Sequence, residues 1–266
     1  MQKRVQSPSS IKIYKQCPRK YYYQYIEKIE APPNVHQVRG NIAHSVLENF
    51  FDANVSKIPL EDCEAHLKLI VQELLVKEWN NYKPKLDQLN LTHDQTMFYF
   101  EDTLMMLLNW TEQFCGRVAK QMGTFQERFQ RLTPIREQRY LSDNYFVQGF
   151  IDAIESNGDG TVRLMDYKTS SNQNLNEHML QLAIYSLLYS EKHGKMPKHV
   201  GCYFLKGTES TVEVDEALLE MAKKEIQKIH LCTTSKDIKD YPRSPGPLCK
   251  WSTGQCEYYH ICKPFG

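Results

Sequence analysis

Gly149-Phe150-Ile151-Asp152 and, beyond a turn at Asn157-Gly158-Asp159-Gly160, Asp166-Tyr167-Lys168-Thr169 are the stretches on which the reading of this chain turns. Residues 145–155 favour strand, 161–168 alternate as a half-buried strand does, and the turn between them is built from the residues that tolerate a tight reversal, so the segment predicts a β-hairpin. If Gly158 to Gly160 form the loop, Asn157 pairs with Thr161 and Asp152 falls directly opposite Asp166 on one face. Lys168, two residues further along the strand, shares that face. Two carboxylates held side by side in a half-buried place repel each other unless a hard divalent cation with oxygen ligands, Mg²⁺ or Mn²⁺, lies between them. Such a cation acidifies water and draws charge from a phosphodiester, and a neighbouring ammonium stabilises the charge that develops. For an Asp-x-Lys by itself, the competing expectation is a surface cross-strand ion pair.

Outward from the hairpin, 134–142 also favours strand, while 41–54, 61–82 and 93–122 carry apolar residues at helical spacing, the last with Phe98, Leu104, Leu107, Leu108 and Phe114. Downstream, 175–193 predicts a helix with Leu180, Ile184, Leu187 and Leu188 inward, 199–206 a buried strand and 215–232 an amphipathic helix. The order implies an α/β fold in which a central mixed sheet is flanked by helices. One decorated domain is expected: an N-terminal segment 1–40, a helical region 41–122, a core 123–232 and a C-terminal segment 233–266. Ser7-Pro8 reads as a capped helix start, Pro18 as its interruption, and Tyr21 to Tyr25 as a second short helix.

Composition narrows the function classes. The chain has 266 residues and a formal charge of +1, with no apolar run long enough to span a membrane and a polar start, so a soluble, cytoplasmic protein is expected. No phosphate-loop motif is present, which argues against an ATP-driven motor. Lys3, Arg4, Lys12, Lys15, Arg19, Lys20, Lys28 and Arg39 outweigh Glu27 and Glu30 near the N-terminus, a balance suited to a polyanion or equally to a solvated charged face. Of eight cysteines, Cys63, Cys115, Cys202 and Cys232 fall among apolar neighbours and read as small buried hydrophobes. Cys249, Cys256 and Cys262, together with the distant Cys17, could supply four thiolates to a structural zinc or to a [4Fe–4S] cluster, and spacing alone does not choose.

Taken in order, Cys17-Pro-Arg-Lys-Tyr, Gly40-x-x-x-His44 at a helix start, Gly149-x-x-Asp152, Asp166-Tyr-Lys168-Thr and Gln181-x-x-x-Tyr185 resemble the RecB-like family of PD-(D/E)XK nucleases. The chain is most similar to its iron–sulfur members, such as the CRISPR-associated spacer-acquisition nuclease and the nuclease domain of AddB. The resemblance implies a restriction-endonuclease-like core and a Mg²⁺- or Mn²⁺-dependent deoxyribonuclease, with single-stranded DNA exonuclease action in the 5'-to-3' sense. It implies His44, Asp152, Asp166 and the Tyr167 carbonyl as metal ligands, Lys168 as the catalytic lysine, and Gln181 with Tyr185 as orienting groups. It favours a cluster on Cys17, Cys249, Cys256 and Cys262, although the six residues between Cys249 and Cys256 exceed the family's usual gap. Arg19, Lys20 and Tyr22 are candidates for contacting DNA by charge and base stacking, against the plainer expectation that the tyrosines pack around the cluster. A helicase or CRISPR-adaptation partner is the further implication. A non-catalytic or partner-dependent DNA-binding subunit is the alternative, disfavoured by the joint presence of His44, Asp152, Asp166 and Lys168.

Overall fold

The computed structural model describes residues 4–251 and 254–264; Lys3 lies outside them. Helices α1 (Pro8–Gln16) and α2 (Pro18–Tyr21) are separated by Cys17, whose extended backbone and following proline break the run. The Ser7 capping box with Ser10 fixes where α1 begins. A wider π-type turn, Tyr22–Ile26, continues α2. Helices α3 (Val35–Phe50), α4 (Cys63–Asn81), α5 (Lys83–Asp87), α6 (His93–Ala119) and α7 (Phe125–Leu132) follow.

Helix α3 starts six residues before the expected 41, because Asn34 accepts hydrogen bonds from the amides of His36 and Gln37 and caps it there. Gly40 therefore lies inside the helix and not at its start, so that His44 projects from the helix middle. Of the apolar residues at helical spacing in α6, Leu107 and Phe114 join Met106 and Trp110 in its buried stripe, whereas Phe98 is 61% exposed. The short amphipathic α7 was not foreseen.

Five strands, β1 (Ile135–Ser142), β2 (Val147–Ser156), β3 (Val162–Lys168), β4 (His199–Phe204) and β5 (Glu209–Glu213), form one sheet in that order. Pairing is antiparallel except between β3 and β4, which are parallel and joined by a crossover through α8 (Met179–His193). Strand β5 escaped the sequence reading because its Glu-Ser-Thr-Val-Glu is an exposed, polar edge. The hairpin register is as expected, with Ser156 against Val162 and the Asn157 amide bonded to the Thr161 carbonyl at 3.0 Å.

Helices cover both faces of the sheet. On one, α3, α4, α6 and α7 bury Ala153, Met165, Tyr167 and Tyr203. On the other, α1, α8 and α9 (Glu216–Cys232) bury Ile151, Ile154, Leu164 and Val200. Neutral packing of this kind sets the frame, since each fully buried aliphatic side chain contributes about 1.5–3 kcal/mol. Leu180 is half-buried at the margin of the second layer, and Cys232, unlike Cys63, Cys115 and Cys202, is exposed. The C-terminal segment closes with β6 (Lys250–Trp251), β7 (Gly254–Gln255) and α10 (Tyr259–Cys262). Among the described residues no helix is long and apolar enough to cross a membrane.

Candidate active site

The regular pairing of β2 with β3 stops at Ala153 and Met165. One step beyond, the Tyr167 amide donates to Asp152 Oδ2 at 2.8 Å, so a side chain takes the backbone donor and the strands part. Asp152 and Asp166 occupy this opening and are 6% and 2% exposed. From the far side, α3 brings His44: its Nε2 lies 3.0 Å from the Tyr167 carbonyl oxygen and its Nδ1 3.3 Å from Asp152 Oδ2. Glu137 on β1 completes the group, with Oε1 4.0 Å from His44 Nδ1.

Helix α8 fixes the other half. Gln181 donates through Nε2 to Asp166 Oδ1 at 2.9 Å and lies 2.8 Å from the Tyr185 hydroxyl, while its Oε1 accepts from Lys168 Nζ at 2.9 Å. Lys168 also forms an ion pair with Asp166 Oδ2. This helix can come so close because position 149 is glycine: a Cβ there would sit 2.9 Å from Tyr185 Cε1 and 3.2 Å from a Leu188 methyl. Gly149 thus sets the distance at which Gln181 meets Asp166.

The charges are unevenly compensated. Burial pushes the Asp166 acid group up, with the Lys168 ammonium pulling the other way and Asp152 adding to the rise. Glu137 is raised to about 7 by burial and then by the charge of Asp152. Burial disfavours charge on His44, yet Asp152 and then Asp166 and Glu137 outweigh it and hold the imidazole at about 9. Lys168 is likewise raised, Asp166 overcoming its desolvation. Asp166 Oδ2 is buried and accepts no hydrogen bond of good geometry, although the Lys168 ammonium lies against it. An acidic pocket that draws a proton onto a histidine is one that a divalent cation fits, with oxygen and imidazole ligands already converging.

The residues whose potential ligand atoms converge include one, Glu137, that lies outside the set the resemblance implies. His44, Glu137 and Asp152 offer ligand atoms all within 4.8 Å of one another, whereas the Asp166 carboxylate is turned toward Lys168 and Gln181. Glu137 was missed, although the hairpin that joins β1 to β2 contained the signal: pairing Ser142 with Val147 sets 137 across from 152. Its backbone sits at φ 47°, where a glutamate is uncommon, and this irregularity interrupts the β1 pattern that periodicity would detect.

The chain belongs to the PD-(D/E)XK nuclease superfamily. The superfamily's sequence model matches residues 6–263, almost the whole of it. A CRISPR-associated exonuclease Cas4 of Francisella tularensis subsp. novicida (strain U112) is 32% identical over 122 residues, a match covering 46% of this chain and 58% of that protein. The chain thus matches somewhat over half the length of this curated relative. A crystal structure of a protein from Eubacterium rectale, described as a candidate exonuclease, superposes with a TM-score of 0.53. It covers 97% of this chain and 92% of its own at 9% identity, which supports the shared fold.

The second constellation joins the two ends of the molecule. Cys17, Cys249, Cys256 and Cys262 line one pocket. The six-residue gap has a structural explanation: the antiparallel pair of β6 and β7 lies within it, and the Cys256 amide donates to the Cys249 carbonyl at 2.9 Å. Around the pocket Tyr21, Tyr22, Tyr23, Tyr241 and Tyr258 are buried together, with Tyr21 stacked on Tyr241 at 6.1 Å and Tyr258 donating to the Ile29 carbonyl at 3.0 Å. Arg19 donates to the carbonyls of Tyr241 and Ile238, Lys20 pairs with Glu257 at 2.8 Å, and the Tyr22 hydroxyl donates to Glu27. Arg19, Lys20 and Tyr22, the three candidates for contacting DNA, thus each have a partner within the protein, and Tyr21, Tyr22 and Tyr23 are buried.

Proposed function

We propose that this nuclease is a Mg²⁺- or Mn²⁺-dependent deoxyribonuclease that degrades single-stranded DNA from an end, in the 5'-to-3' sense. The observation that carries the reading is the convergence of His44, Glu137, Asp152, Asp166 and Lys168 where β2 and β3 part. His44, Asp152 and Glu137, with Asp166 and the Tyr167 carbonyl beside them, would hold the cation, which when bound supplies Lewis acidity toward the phosphodiester and its attacking water. Lys168, held by Gln181 and Asp166, presents its ammonium to the phosphoryl oxygens as charge grows on them. Gln181 is the positioning residue: by bonding Asp166, Lys168 and Tyr185 at once it prevents the lysine from collapsing into solvent. The interior strands β2 and β3 and the helices packed over them bury the acids, which strengthens each of these interactions.

Cleavage of end-labelled linear and of circular single-stranded DNA, with Mn²⁺, Mg²⁺ or chelator, tests this directly. Loss of linear DNA that depends on the cation, with circles spared, supports an exonuclease, and the order of label release reads the polarity. Lys168→Ala should lower the rate by about 10²–10³-fold while folding and DNA binding persist; undiminished cleavage would place the chemistry elsewhere.

Cys17, Cys249, Cys256 and Cys262 are the residues that would hold a [4Fe–4S] cluster, with zinc as the alternative occupant. Their shared pocket supports this, and the group would act structurally, tying residue 17 to residues 249–262. Cys256→Ala should abolish the brown absorbance of anaerobically purified protein and lower its melting temperature. Stoichiometric zinc in colourless wild-type protein would overturn the cluster.

A further inference from the structure

Lys168 also lines a second cavity. A groove runs between α1 and the start of α8, and Lys168 and Gln181, which line it, belong also to the active site. From α1 it is lined by Ser9, Lys12 and Lys15, and from the residues leading into α8 by Asn176 and His178. The cations have different surroundings. Lys15 is paired with Glu225 at 2.6 Å and Lys168 with Asp166. Lys12 is exposed and has no ion-pair or hydrogen-bond partner among the described residues. Glu177 is the acid on the groove wall, and Asn172 donates to it at 2.7 Å.

A pocket beside the metal-binding candidates is lined by His44, Glu48 and Glu137 with Asn41, Ser45 and Tyr82. The active site therefore separates an acidic pocket from a basic groove. A phosphodiester strand crossing the metal-binding acids needs positive charge on the far side to hold its next phosphates, and the α1–α8 groove is where this chain provides it. His178 reports the same field: burial, then the charges of Lys168 and Lys12, push its imidazole down to about 4. At neutral pH it is uncharged, in the field of these two ammoniums.

We propose that the α1–α8 groove is the arm of the DNA path flanking the scissile bond, with Lys12 holding a backbone phosphate beyond the one at Lys168 and His178 lining the same path. The inference rests on the deoxyribonuclease reading above. Lys12 is thus a positioning residue, acting on the strand and not on the reacting atoms. A long substrate feels it and a minimal one does not.

The test compares wild type, Lys12→Ala and Lys12→Glu on oligothymidylates of increasing length and on bis(p-nitrophenyl) phosphate, a diester that reaches only the cation and Lys168. Lys195→Ala is the control; Lys195 bonds the Gly160 carbonyl at the hairpin turn, at the opposite end of β3 from Lys168. For Lys12→Ala the KM on long oligonucleotides should rise with kcat little changed. The slope of log affinity against log salt should fall by about 0.7, the value for one phosphate of a single strand, and Lys12→Glu should raise KM further. Hydrolysis of the small diester should be equal in all four proteins. Unchanged KM and salt slope in both Lys12 variants would overturn the groove assignment, whereas a wild type that cleaves neither substrate with Mn²⁺ would overturn the nuclease reading beneath it. Equal damage to small and long substrates would show that Lys12 supports the active site's structure and would also refute the proposal.

Discussion

Strand β2 carries two buried carboxylates three residues apart, Asp152 and Glu155, each 6% exposed, and their surroundings could hardly differ more. Arg117 reaches Glu155 at 2.9 Å and 3.0 Å, Arg163 Nε at 2.6 Å, and the Tyr203 hydroxyl at 3.0 Å. Burial alone would push the Glu155 acid group up, but the two guanidiniums, Arg117 first, outweigh it and hold it down. Around Asp152 the balance is reversed: Asp166 and Glu137 are both raised, and positive charge comes from a histidine that the acids themselves keep protonated and from Lys168. Burial of acid is therefore no mark of function. A structural carboxylate arrives with its counter-charges; a carboxylate meant for a cation is left short of them.

The largest effect expected from breaking this contrast is on stability. Glu155→Ala leaves Arg117 and Arg163 facing each other in a buried place and should lower unfolding free energy by about 3–5 kcal/mol, read from urea denaturation at neutral pH. Glu155→Gln, which keeps an acceptor for Tyr203, should lose less. The pH dependence has a fixed sign. Because folding depresses this acid group, its stabilisation is present above the unfolded glutamate value of about 4.3 and is lost as pH falls through the lower folded value. The gap in stability between wild type and Glu155→Gln should accordingly close in acid. A full-sized gap that persists below the folded value would mean that packing and not charge accounts for it.

The same contrast explains what could be read from the sequence. Asp152, Asp166 and Lys168 were legible because hairpin geometry converts spacing into proximity: the turn at Gly158 to Gly160 sets the register, and the register sets the carboxylates together. The four cysteines were legible as a set, while the strand pair within the long gap between Cys249 and Cys256 was not, since two-residue strands have too short a pattern to show. Glu137 was hidden by its irregular backbone and by lying on a different hairpin from the motif. Glu155 and Arg117 could not have been paired by any local rule, because Arg117 comes from α6, across the sheet face and far away in sequence. Local periodicity finds elements and motifs, whereas the identity of a buried acid's counter-charge is a tertiary fact.

A smaller effect sharpens the comparison by asking which acids the cation meets. A ligand that binds only the folded state raises stability by about 2.7 kcal/mol at a hundredfold excess over its Kd, so Mn²⁺ should raise the melting temperature of the wild type in a concentration-dependent way. Glu155→Gln starts from lower stability but should gain the same increment, because the carboxylate it removes is matched by Arg117 and Arg163 and does not belong to the group facing the cation. Glu137→Gln removes an acid that is 4.0 Å from His44 Nδ1, and it should shift the Mn²⁺ titration to higher concentration. If Glu137→Gln titrates as wild type does while Asp166→Asn does not, the second acidic ligand is Asp166, and the carboxylate must turn from Lys168 toward the cation when it binds. The ligand set would then be His44, Asp152 and Asp166, with Glu137 a neighbouring acid that raises the pocket's negative potential without touching the metal.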